Sequence, residues 1–364
     1  MKLRTLVISV VLLAVLSVVA FLSNRPEPAP AADPRVGQPL LGADTVSRAS
    51  GIVISDQGKK VELRKDGDGT WRVPSYFDMP ADFDKISRFV QELNEAKVER
   101  FVTDNPERLG HLEFKDSSIV LDDSSGKEIW RLTLGKTPDS GNGRFVRFGG
   151  ESSAFFSGVH SWLDTDAKGW ADARLVTVKP DDVAKVEISF EQGPPVVAAR
   201  AKKDAPWSAA APPAGKKLVA EKVSSLLTTL TSLRFTDTVD PKDPLVAQAA
   251  AHMRTMKLTT FDGKTLTISL GRKPEEKRLK AAAPETKVGS TAEAKPGDTK
   301  IDLKPVTPEM ETVPAGPVFA VVASSDSRAL INRLMKGRAF EVDDYTYTGL
   351  PQKADDLFEP EKSK

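Results

Sequence analysis

The chain has 364 residues, enough for two domains of ordinary size, each with its own core. Its 52 Lys and Arg nearly cancel its 51 Asp and Glu, so it lacks the clustered basic face that displaces counterions from nucleic acid, and no nucleic-acid partner is expected. There is no cysteine, which excludes disulfides, thiolate metal sites and a lipid-modified N-terminal cysteine.

MKLR is followed by an uncharged apolar run from Thr5 to Leu22. As a helix its 18 residues would span about 27 Å, close to the roughly 30 Å of bilayer hydrocarbon. Residues 1–22 therefore read as a membrane anchor. Lys2 and Arg4 precede the run, whereas only Arg25, offset by Glu27, closely follows it. That bias puts the N-terminus in the cytoplasm and the bulk of the chain outside, in the periplasm of a bacterial inner membrane. A cleaved signal peptide is the rival reading, with small residues at Ala29, Ala31 and Ala32. The run exceeds a usual signal core and those alanines lie well past its end, which favours an uncleaved anchor. Residues 23–48, rich in proline and alanine, read as an extended tether.

The first folded unit is expected over residues 49–178. GIVIS, KKVELRK and GTWRVP read as three short strands separated by the turn signals QGK and DGDG. In DFDKISRFVQELNEAK, Ile86, Phe89, Val90, Leu93 and Ala96 recur at helical spacing, giving an amphipathic helix that packs on a sheet. VERFVT, SSIVLDD, EIWRLTLG and GRFVRFGG supply further strands, with Asn105 and Pro106 starting a short connection. FFSGVHSWLD and AKGWADARLV read as helical or irregular closing pieces.

A second unit, residues 179–343, repeats the order. A strand pair runs to Trp207, then Val219, Val223, Leu226, Leu227, Leu230 and Leu233 form another helical stripe, with Phe235 following as Phe101 followed the first. Trp71 precedes Gly135 by 64 residues, and Trp207 precedes Gly271 by 64; LTLGK is answered by ISLGR. The fold class is therefore α+β: an N-terminal transmembrane helix, then two similar units with antiparallel-rich sheets, each packed by an amphipathic helix. Residues 273–316 interrupt the second unit with a low-complexity, lysine- and alanine-rich stretch that reads as disordered. In the tail, 344–364, YTYTG reads as a possible edge strand and the rest as frayed.

The search for chemistry yields no catalytic, cofactor-binding or metal-binding residues. Gly-Lys-Thr at 135–137 suggests a phosphate loop, but the glycine required upstream is Trp130 and Pro138 stands where a helix should start. His111, His160 and His252 have no ligand-like spacing. DGDGT from Asp66 and DTDAKG from Asp164 open like calcium loops, but Phe77 and Leu175 occupy the position of the closing glutamate. The pairs Asp122–Asp123 and Asp343–Asp344 read as solvated surface. Trp71, Trp130, Trp162, Trp170 and Trp207 would form a glycan platform only if exposed; two of them recur at matching repeat positions on strands, which favours core packing.

The tryptophan strand GTWRV, the segment PADFDKISRFVQELNEAKVERFV, LTLGK and ARLVTVKPDDVAKVEIS stand in an order that resembles the bacterial family called domain of unknown function 4340, over about Ile52 to Phe235. The resemblance implies an envelope protein with one membrane helix, often found beside components of an ABC-type export system of the kind associated with gliding motility. It brings no catalytic residues. The expectation is a non-catalytic accessory or scaffold protein of such a complex, needing no cofactor. A periplasmic glycan- or ligand-binding module is the alternative, and a hydrolase built on dispersed residues a third.

Overall fold

The computed structural model describes residues 33–139, 141–160, 163–190, 193–279 and 310–361. The expected anchor, Thr5–Leu22, and Trp162 lie outside them. Among the described residues no helix is long and apolar enough to cross a membrane. The chain divides into two units between Asp172 and Ala173, six residues before the expected boundary.

In the first unit a short helix α1 (Ala43–Arg48) leads into β1 (Gly51–Asp56) and β2 (Lys59–Lys65). Their alternation buries Ile52, Ile54, Val61 and Leu63 on one face. β3 (Trp71–Val73) and β4 (Met79–Pro80) extend the meander to one edge. Helix α2 (Phe83–Glu95) begins where the Asp82 carboxylate accepts the Lys85 N–H, and it buries Ile86, Phe89 and Leu93. β5 (Val98–Thr103) follows, then α3 (Pro106–Gly110), opened by the Asn105 cap and Pro106, then β6 (Ser118–Asp122), β7 (Glu128–Leu134), β8 (Arg144–Phe148) and β9 (Ala154–Ser157). The antiparallel sheet runs β4-β3-β2-β1-β6-β7-β8-β9-β5. The segment expected to be irregular around FFS is thus a strand, paired on both sides, with Phe155 fully buried. A final turn, α4 (Ala167–Trp170), lays Trp170 edge-on against Phe89, 5.6 Å between ring centres.

The tether expected over 23–48 is folded from Asp33 onward. Leu40 and Leu41 are buried, and the backbone around them pairs with the segment after α2: Gly37 donates to Val98 and Leu40 to Ala96. Polar and proline-rich neighbours hide this pairing in the sequence, because two leucines are too few to show a period.

The second unit starts the same way: Leu175 donates to Leu233 and Phe235 to Ala173, with Leu175 and Val176 buried. In these ladders Phe235 occupies the place of Val98, not of Phe101. Then come β10 (Val183–Ile188), β11 (Val196–Ala199), β12 (Ser208–Ala209), β13 (Lys216–Leu218), helix α5 (Ala220–Thr231), β14 (Phe235–Val239), α6 (Pro244–Ala250), β15 (Met253–Thr260) and β16 (Thr265–Gly271). After the insertion the sheet continues with β19 (Val318–Ser324), then helix α7 (Leu330–Gly337) and β20 (Ala339–Val342). Its order is β12-β11-β10-β15-β16-β19-β20-β14. Apart from β4, each strand of the first sheet has one counterpart at the same place in the second.

Two further expectations change. The ends of the insertion pair as a ladder, β17 (Glu276–Leu279) with β18 (Met310–Val313); residues 280–309 lie outside the described residues. In the tail YTYTG is not an edge strand, and the chain is not frayed up to Glu361. Asp344–Thr348 forms helix α8, and Phe358–Pro360 forms β21 against β13. Tyr347, Leu350, Leu357 and Phe358 are buried, so the tail helps close the second core.

Leu41→Ala tests the folded start of the first unit. It should lower unfolding stability by about 2–5 kcal/mol in urea titration, the cost of truncating a buried leucine. In a tether the same change would register within about 0.5 kcal/mol.

Candidate functional site

Gly135 closes β7, and its surroundings decide what Gly-Lys-Thr means. The Gly135 N–H donates to Phe145 O (2.8 Å) and the Lys136 N–H to Leu112 O (2.9 Å). A phosphate loop needs those N–H groups free to wrap an anion, and both are already used by the fold. The glycine is required for another reason. A Cβ there would lie 2.5 Å from the Leu112 carbonyl oxygen, just past α3. Gly271, at the end of β16, meets the Ala249 carbonyl at the same 2.5 Å, at the end of α6. Close backbone approach, not a left-handed turn, accounts for both glycines.

The same segment borders a cleft of about 560 Å³ in the first unit. Gly135, Lys136 and Thr137 form one wall, the start of β8 with Arg144 a second, and the end of β1 with Asp56 a third. Glu113, Lys115, Asp116 and Ser117 come from the loop before β6, and Val159, His160 and Leu163 from the segment after β9. Gly143, with φ of 73°, lets the chain turn into β8.

The polar groups of this cleft are unevenly satisfied. The Ser117 hydroxyl donates to Asp56 at 2.5 Å, so it is committed to a carboxylate rather than to a histidine base. Glu113 contacts Lys115 at 3.4 Å and Lys136 at 4.0 Å. Arg144 donates through Nε to Gly135 O at 3.1 Å, and no other partner holds its guanidinium among the described residues. Burial pushes Arg144 below its ordinary pKa, with the Asp56 charge opposing that shift. The guanidinium still carries its charge, since its ordinary value is so high.

The other features singled out in the sequence fall elsewhere. In DGDGT, Asp66 and Asp68 both accept the Thr70 N–H, and Asp66 takes Arg72 Nε at 2.5 Å. Their oxygens are occupied by turn and strand donors. In DTDAKG, Asp164 accepts Lys85 Nζ at 2.5 Å and the Asp166 N–H, while Lys85 lies 4.4 Å over the Trp170 ring. This ties α2 to α4. Asp122 is buried and pairs with Arg64 at 3.1 Å; Asp123 caps the following turn. Asp344 pairs with Arg272. Of the tryptophans, Trp170 and Trp207 are buried, while Trp71 and Trp130 are half-buried. Arg200 covers Trp207 at 4.6 Å. Trp170 and Trp207 therefore present no open ring face of the kind a sugar stacks on. Among the described residues no group of three His, Asp or Glu side chains is arranged to hold a metal ion.

Sequence reading missed Arg144, Asp56 and Asp116 as members of one site. Arg144 sits in an alternating strand, RFVRF, where an arginine is unremarkable. The one pointer was Gly-Lys-Thr, which marks the right place for a different reason.

The profile of the family described as "Domain of unknown function (DUF4340)" matches residues 71–253, just over half of the chain, from β3 of the first unit to the start of β15 in the second. No curated protein and no solved structure matches the chain.

The Asp68 carboxyl provides a check on the turn assignment. Hydrogen bonds from Asp66 and then Thr70 lower its pKa from 3.8 to about 2. The lowered value means the charged form belongs to the fold, so the turn is intact above pH 4 and its contribution fades as pH falls through about 2. Carbon-detected NMR titration should place the midpoint near 2, and Thr70→Pro, which removes the donated N–H, should move it upward toward 3.8.

Proposed function

The chain belongs to the family of domain of unknown function 4340, and from that premise we propose that it is a non-catalytic, membrane-anchored scaffold of the bacterial envelope that docks to an ABC-type transport complex. The observation that supports this reading is the shortness of the link between anchor and fold. Only ten residues, 23–32, separate Leu22 from Asp33, the first described residue of the folded unit. Fully extended they reach at most about 36 Å, roughly the width of one small domain. The first unit is therefore held against the membrane surface, where a membrane-embedded partner presents its outer face. The 18-residue run Thr5–Leu22 supplies the span, and the positive residues before it set the orientation.

The two units are, on this reading, copies of one ancestral fold. The shared strand order, the shared ladder between the entering segment and the chain after the helix, and the paired glycine contacts support a duplication. Duplication doubles the sheet edges and helix faces on offer to a partner without requiring any catalytic constellation. A ligand-binding role is a second reading, supported by the polar cleft of the first unit.

Affinity purification of the full-length chain at native abundance from mildly solubilised membranes tests the proposal. It should bring down a permease and its ATPase, and removal of residues 1–22 should release the chain from the membrane fraction and abolish the co-purification. A full-length chain recovered from membranes with no transport component would contradict the docking; a chain found in the soluble fraction would contradict the anchor.

A further inference from the structure

We propose that the cleft of the first unit binds a small dipolar molecule of the amino-acid or short-peptide class, its carboxylate on Arg144 and its ammonium on Asp116. This goes beyond the scaffold reading and does not depend on it.

The argument starts from groups the fold leaves open. Arg144 is half-buried, held by one hydrogen bond from Nε to Gly135 O, and its outer guanidinium nitrogens have no protein partner among the described residues. A planar guanidinium with an unused fork matches a carboxylate in two parallel hydrogen bonds. Asp116, on the same cleft, has no hydrogen-bond or ion-pair partner among the described residues. An unpaired cation and an unpaired anion on the walls of one cleft suit a ligand that carries both charges.

The remaining walls narrow the class. Three carboxylates, Asp56, Glu113 and Asp116, stand beside the three cations Lys115, Lys136 and Arg144. A polyanion such as a nucleotide would be repelled by the carboxylates as much as it is drawn by the cations. A sugar would need an aromatic platform, and among the described residues the lining holds no Phe, Tyr or Trp. Leu134, Val159 and Leu163 add a modest apolar surface suited to small side chains such as alanine.

The second unit shows the same location without the open charge. A cleft of the second unit is bordered by Arg272, at the position of Lys136, and by Val318 at the start of β19, at the position of Arg144. Arg272 is taken by Asp344 and lies 5.1 Å from the Tyr347 ring centre. At this location the second unit thus has a paired cation where the first has the open fork of Arg144.

The experiment uses the detergent-solubilised full-length chain and the dipeptide alanyl-alanine as probe, read by saturation-transfer NMR and calorimetry. Parallel arms use the N-acetylated dipeptide, the dipeptide amide, inorganic phosphate and chitotriose. The uncapped dipeptide should bind, and each cap should weaken binding at least about tenfold, the loss expected for one charge-assisted contact. Arg144→Gln and Asp116→Asn should each do the same, whereas Arg272→Gln should not. Asp116 is exposed and its carboxylate has no hydrogen-bond or ion-pair partner among the described residues, so its variant remains informative if Arg144→Gln misfolds. No binding of the dipeptide at millimolar concentration, equal binding of the capped forms, or binding unchanged by Asp116→Asn would overturn the proposal, as would preferential binding of phosphate or chitotriose.

Discussion

At Gly135 and at Gly271 the sheet comes so close to a backbone carbonyl that one added methyl group would stand 2.5 Å from its oxygen. Each carbonyl, Leu112 in the first unit and Ala249 in the second, lies at or just past a short helix that opens with an Asx-Pro cap, Asn105–Pro106 or Asp243–Pro244. The caps fix where the helix starts, and the glycine fixes how closely its end can seat on the sheet. In the first unit that seat also carries a hydrogen bond, Lys136 N–H to Leu112 O, which commits the strand end to the fold. The cleft beside it takes its shape from this contact. The Gly-Lys-Thr wall can stand opposite Asp56 and Arg144 only because the helix end comes down onto Gly135.

How much of this was legible follows from the kind of signal each element leaves. The hairpin of β1 and β2 alternates cleanly, and α2 carries Ile86, Phe89 and Leu93 at helical spacing, so both are readable from a single sequence. Leu40 and Leu41 were not, because they are anchored by non-local pairing with Ala96 and Val98 rather than by a local period. The tail was misread for a similar reason: Tyr347, Leu357 and Phe358 look sparse along the chain but converge on the second core. The repeat glycines were found as landmarks, yet their cause, a carbonyl more than twenty residues away in sequence, is visible only in three dimensions.

The two units show how one fold can carry different surface chemistry. In the first, the position that opens β8 is Arg144, half-buried, with its outer guanidinium nitrogens unpartnered among the described residues. In the second, Val318 stands there, and the neighbouring Arg272 is neutralised by Asp344 from α8. Both units are closed by the segment after the last sheet strands, Leu357 accepting the Val219 N–H as Trp170 accepts the Asp82 N–H, but in the second unit that segment also supplies Asp344 and Tyr347. The C-terminal segment therefore both helps close the second core and pairs the charge of Arg272.

The central claim is that both units rest on the same glycine contact, each independently. Hydrogen-exchange mass spectrometry on Gly135→Ala and Gly271→Ala tests it. At an unconstrained glycine, alanine would stabilise by about 0.4–1 kcal/mol through the unfolded state. Here Gly135→Ala should instead accelerate exchange in α3, the end of β7 and the start of β8 while leaving α6 and β16 unchanged, and Gly271→Ala should do the reverse. Slowed or unaltered exchange at both positions would contradict the account.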